Sequence, residues 1–270
     1  MSKLLTNLKN SFDFYLRQKI KFSRHNYYLR NEEKQGLFKT LSYEVRKETE
    51  EKEKAFLEKY RLYDFKGDST RRNYLENLYI IELLEKYIQI PDNRAFINVL
   101  DIGSKDWFYV QGEYRFFKYQ NKEKEVELTG IELDAYRVYI NFYSRFDAAE
   151  YHMRNLEGVR YIPGDFLFHQ GEYDYITWFF PFLTEKPLLK WGLPLYYLRP
   201  EQMLKHAYRL LKPEGEMLIV NQEIKEYHIQ QQLLNKLNIP YKAHGKFKSH
   251  FLDYTHNRYV ITVKKGTNNC

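Results

Sequence analysis

The chain almost lacks cysteine: its one thiol is Cys270, the last of 270 residues. Internal disulfides and thiolate metal clusters are thereby excluded, and a reducing cytoplasm is the expected setting. Glycine (12) and proline (8) are scarce, which excludes collagen-like and linker-rich classes. Long apolar runs are missing too. The strongest, Trp178 to Leu183, falls far short of the ~20 residues that span a bilayer. The first residues soon meet charge, so no signal-peptide stretch is expected. There is no Gly-x-Ser-x-Gly elbow and no Gly-x-x-x-x-Gly-Lys-[Ser/Thr] loop, so a serine hydrolase and a P-loop enzyme lack support. His244, His250, Asp253 and His256 are spaced too loosely for a metal site, and no metal is expected.

What is abundant is aromatic and basic. Tyrosine (26) and phenylalanine (19) dominate, and 43% of residues are hydrophobic, enough for a sizeable core. The net charge is +7 and unevenly placed. Residues 1–40 hold nine Lys/Arg against three Asp/Glu, and residues 242–265 hold six against one. Two basic ends around an acidic middle fit either a solvated basic face or a surface for an anionic partner such as nucleic acid. The oligomeric state is not legible.

Residues 1–66 read as helical. Glu48/Lys52 and Glu50/Lys54 stand at the i,i+4 spacing that supports an exposed helix. A further helix is expected from an N-cap at Ser69 to about Gln89, with Tyr74, Leu78, Ile81, Leu84 and Ile88 as its apolar stripe. Pro91-Asp92-Asn93 ends it. Short β-rich runs then alternate with helical stretches: 96–102, 127–132, 159–162, 173–179 and 216–220 as strands, 135–155 and 200–211 as helices. Two closing strands follow at 241–247 and 258–264. Alternation of this kind predicts a mostly parallel, doubly wound α/β sheet. The expected division is a helical extension over 1–92, an α/β domain over 93–265 and a tail over 266–270.

Chemistry concentrates where strands end, because ligands of open α/β sheets lie beyond the carboxyl ends of strands. The first strand runs Val99-Leu100-Asp101-Ile102-Gly103-Ser104 into a tight turn, and glycine there lets a backbone approach a ligand. The second ends Gly130-Ile131-Glu132-Leu133, where a carboxylate suits a ribose diol. The third ends Pro163-Gly164-Asp165-Phe166, a carboxylate beside a ring. The fourth runs through Tyr173-Asp174-Tyr175-Ile176 to Trp178 and Phe182, and the fifth follows Leu211-Lys212-Pro213-Glu214-Gly215-Glu216. In this order the five segments resemble class I S-adenosyl-L-methionine (SAM)-dependent methyltransferases over roughly residues 95–225. The resemblance implies a Rossmann-like seven-stranded sheet closed by an antiparallel hairpin, with SAM as cofactor. Asp101, Gly103 and Ser104 would hold its methionine end, Glu132 and Leu133 its ribose and adenine side, Asp165 and Phe166 its adenine. Trp178, Phe180 and Phe182 would face the acceptor. Glu223, just after strand five, is the candidate general base. Each acid could equally cap a helix or complete a turn. The sequence departs from the pattern at Lys105, where a glycine is usual, and at Phe179, where amino-group methyltransferases carry asparagine. These departures and the basic ends leave a second reading open: a methyltransferase-fold module without turnover that binds nucleic acid or another polyanion. In a third, the helical front closes over a small substrate.

Overall fold

A computed structural model describes residues 2–267; Cys270, and with it the end of the expected tail, lies outside the described residues. The helical front comprises α1 (Lys3–Ile20), α2 (Tyr43–Lys59), α3 (Tyr63–Gly67) and α4 (Arg71–Tyr87). The α/β part follows as β1 (Phe96–Ile102), α5 (Val110–Tyr119), β2 (Glu125–Glu132), α6 (Arg145–Met153), β3 (Val159–Pro163) and β4 (Tyr173–Phe179). It continues through α7 (Glu185–Lys190), α8 (Pro200–Leu210), β5 (Leu211–Gln222), α9 (Glu223–Lys236), β6 (Tyr241–Phe247) and β7 (Arg258–Lys264).

The seven strands form one sheet in the order β3-β2-β1-β4-β5-β7-β6. β1 to β5 are parallel, and β7 runs antiparallel to both β5 and β6. Strand order reverses between β1 and β4, so their carboxyl ends form the switch point at which such sheets open a crevice. Alternation sets the two faces. Tyr175 and Phe179 of β4 join the core beneath α4 and α5, while Ile176 and Trp178 join the core beneath α8 and α9.

The stripe on α4 is buried as expected: Tyr74, Leu78, Ile81 and Leu84 are fully enclosed and Ile88 nearly so. Its N-cap is Thr70, whose hydroxyl accepts from the Asn73 amide, one residue beyond the expected Ser69. The helices of residues 1–92 are not set apart from the sheet. Phe56, Leu57, Tyr60 and the α4 stripe share one apolar core with Ile97, Val99, Leu128 and Val220.

Two expected helical stretches are shorter than their pattern. Residues 21–34 have no regular structure. α1 stops at Lys21 in a left-handed conformation, and the Asp147 carboxylate captures the backbone N–H groups of Arg24 and His25 and the Ser23 hydroxyl. Likewise 135–144 is a loop, because Ser144 and Asp147 form a reciprocal capping box that starts α6 at Arg145.

Candidate functional site

Strand register brings the three carboxylates to one edge. Asp101 stands beside Gly130 and Thr177, and Glu132 beside Pro163, with Asp165 two residues further along the β3 chain. The turn after β1 is stitched to β2: the N–H groups of Gly103 and Ser104 both donate to the Ile131 carbonyl. Gly103 is exposed with φ +77°, and a Cβ built on it meets nothing within 4 Å. The same openness holds at Gly164. A ligand could therefore lie against backbone at both tips. Lys105 takes φ +56° in place of the usual glycine, and its amide donates to Glu132 at 2.9 Å. Gly130 is required for packing: a Cβ there would stand 2.6 Å from Ser104 Oγ and 2.8 Å from the buried Trp107 ring.

The three acids differ sharply in environment. Asp101 has no exposed surface, and accepts from the Tyr109 hydroxyl at 2.7 Å and from Thr177 Oγ1 at 3.3 Å. Thr177 Oγ1 also lies 2.6 Å from the Glu113 carboxyl, to which Trp107 Nε1 donates at 3.3 Å. Asp101 and Glu113 are thus two enclosed carboxyls in one network. Burial raises Asp101 to about 7, and burial together with Asp101 raises Glu113 well above the carboxylate range. Glu132 is nearly buried and accepts from three N–H groups, those of Lys105, Asp134 and the Arg145 guanidinium. Asp165 caps Leu167 and pairs with Arg199. Arg145 Nε and Arg199 Nε, beside these two acids, are buried without a partner.

The other expected residues scatter. Ser104 is buried and turns its hydroxyl to the Asp101 carbonyl. Leu133 and Phe182 pack around α1 and α7, in a cluster built on Phe14, Leu188 and Leu193. Phe166 is in the core, edge-on to His206. Trp178 does not reach the rim: it points into the core under α8, since its neighbours Thr177 and Phe179 take the other face. Phe180 is 36% exposed just past the end of β4. Glu223 serves the turn before β7, accepting from the Asn257 amide and side chain and from His256. These bonds hold its carboxyl below the usual range despite slight burial, which makes it a poor proton acceptor at neutral pH. His244 bonds Thr262 and His250 bonds Glu82, so the C-terminal histidines serve separate contacts.

Sequence reasoning missed Tyr109, Glu113, Thr177, Arg145, Arg199 and Arg17. Arg17 of α1 binds Asp134 through two bonds of 2.7 and 3.0 Å, and Gln18 donates to the Leu133 carbonyl. α1 therefore lies along the tip of β2. Two clefts of about 290 and 450 Å³ lie elsewhere, against Tyr27 and Tyr151 and between Arg30 and Arg71. Among the described residues, no helix is long and apolar enough to cross a membrane.

No family model matches the sequence, and no curated protein matches it. Solved structures do. A provisionally assigned class I S-adenosylmethionine-dependent methyltransferase from Listeria monocytogenes superposes with a TM-score of 0.51 at 11% identity, over 73% of this chain and 61% of that one. A methyltransferase from Pyrococcus furiosus gives 0.49 at 18% identity, over 70% of this chain and 83% of that one. This chain thus spans 61% of the Listeria protein's length. The likeness to the Listeria structure shows a class I methyltransferase-type fold.

Proposed function

We propose that this chain binds S-adenosyl-L-methionine at the tips of β1, β2 and β3 and transfers its methyl group to an acceptor. The observation that carries the reading is the placement of Asp101, Glu132 and Asp165 on three adjacent strand tips, with Gly103 and Gly164 leaving open backbone between them. Orphaned donors on Arg145 and Arg199 at the same edge fit a ligand rich in acceptor atoms. The donor set therefore suits the cofactor, which when bound supplies a methyl group activated on a sulfonium.

The residues divide the work by environment. Gly103 and Ser104 form the turn for the methionine end. Glu132 and Leu133 take the ribose and adenine side, and the ribose diol exchanges with the Arg145 contact on Glu132. Asp165 bounds the adenine, and Phe166 supports its turn from the core. Asp101 is enclosed, so it acts through the Tyr109 hydroxyl as a positioning residue. Phe180 flanks the acceptor side. In-line displacement depends chiefly on alignment, which supplies several kcal/mol in well-oriented reactions. No base is assigned: Glu223 positions the turn at Asn257.

Isothermal titration with SAM tests the reading. Saturable heat is expected, with affinity reduced about tenfold or more in Glu132→Ala, because the bidentate acceptor for the diol is lost. Absence of both heat and thermal shift at about 1 mM cofactor would remove the proposal. Nothing at the strand tips favours the polyanion-binding alternative.

A further inference from the structure

Arg258 opens β7 at the same sheet edge, paired across to Gln222 at the end of β5 and to Phe247 of β6. Only 9% of it is exposed. Its guanidinium carbon lies 4.3 Å from the ring centre of Phe180 and 4.4 Å from that of Tyr254. Nε and Nη1 are buried and have no hydrogen-bond partner. Arg145 and Arg199 each hold a carboxylate, but Arg258 forms no ion pair among the described residues. A buried cation loses more solvation than two aromatic faces return, so an anion at these atoms would be favoured.

A second orphan packs against the same Tyr254 ring. The Tyr79 hydroxyl is buried without a partner, and its ring stands edge-on to Tyr254 at 5.0 Å. The positive charge of Arg258 acts on that phenol, lowering its pKa against the rise that burial imposes. Neighbouring carboxylates are committed: Glu76 to the Tyr254 hydroxyl and Arg72, Glu226 to the Gln222 amide. Phe180, which covers one face of the guanidinium, holds φ +59°, a strained conformation for a bulky residue. Strain of this kind gathers at ligand sites. The group lies at the carboxyl ends of the parallel strands: Phe180 follows β4 and donates its amide to Val220 of β5, and Arg258 pairs with Gln222 at the end of β5.

We propose that Arg258 and Tyr79 form the anion-binding end of the acceptor site, and that the acceptor is a small molecule carrying an oxyanion on a planar or apolar body. The oxyanion takes Arg258 Nε and Nη1 and the Tyr79 hydroxyl once the Phe180 ring moves off the guanidinium, and the body lies against that ring. Naming this ligand the acceptor rests on the methyl-transfer reading; the anion site does not.

Calorimetric titration of the full chain with benzoate, phenyl phosphate and uncharged benzamide tests it. At least one anion should bind, with benzamide binding at least about tenfold more weakly. The two anions distinguish carboxylate from phosphate. Arg258→Gln should weaken the anion about tenfold or more and Tyr79→Phe a few-fold, with benzamide unchanged. Should Arg258→Gln fail to fold, Arg258→Lys, which keeps the charge and loses the fork, should bind more weakly than wild type. Anion binding that is absent at about 10 mM, or unaltered in these variants, overturns the proposal. SAM titrated into the same samples separates the two readings. SAM binding without anion binding sinks this one alone, and anion binding without SAM binding sinks methyl transfer alone.

Discussion

Asp101 and Glu113 illustrate how burial changes the meaning of an acidic side chain. Both are fully buried beneath the rim, joined by the Thr177 hydroxyl, and both pKa values are raised. The folded state therefore keeps a proton that the unfolded chain releases in the ordinary carboxylate range. The unfolded state binds fewer protons there, so this pair's contribution to stability falls as pH rises from about 4 to about 7. Glu113→Gln removes the like-charge partner while retaining groups able to bond Thr177 and Trp107. Its melting temperature at pH 8 should exceed that of the wild type by about 2–6 °C, and the difference between the two should shrink toward pH 4. Parallel melting curves across that range would refute the account of two carboxyls raised by burial. At this scale the sequence revealed Asp101 but not its partner. Glu113 sits in an amphipathic helix, where nothing in the spacing distinguishes an inward acid from a solvated one.

At the scale of elements, α1 is decisive for what lies near the cofactor rim. Phe14 is 3% exposed between Leu188 and Leu193, and Asn10 donates to the carbonyls of Leu189 and Leu193. Arg17 and Gln18 fasten the helix to residues 133 and 134 beyond β2. Phe14→Ala should cost about 3 kcal/mol in urea unfolding, as for other buried phenylalanines, if α1 unfolds with the sheet. A change under about 0.5 kcal/mol would mean that α1 undocks independently. The aromatic content of this helix was visible in the sequence. Its docking site was not, because Asn10 and Arg17 find their partners more than a hundred residues away.

For the whole molecule, the shared core predicts how the chain tolerates truncation. The α4 stripe and the α2 residues Phe56 and Leu57 fill one face of the sheet. A chain beginning at residue 93 would expose that face and should be molten or aggregated, with weak near-ultraviolet circular dichroism. A chain beginning at residue 42 keeps α2 to α4 and should unfold cooperatively. A cooperative transition in the shorter chain would show that the sheet is stable without its helical front. The composition change near residue 92 marks a change of architecture, and the apolar core runs across it.

The sequence alone determined the seven strands and their order along the chain, but it did not mark α5 or α9 as helices. Four of the seven strands match their expected bounds, since alternating and continuous apolar runs are local signals that burial later uses. It also placed acids at three strand tips, because a tip follows directly from where a strand stops. Tertiary structure decided the rest. It chose which acids remain accessible, set arginines on Glu132 and Asp165, and turned Trp178 into the core. It also left Arg258 and Tyr79 enclosed without partners. Those outcomes depend on distant segments meeting, and desolvation acts only once they have met.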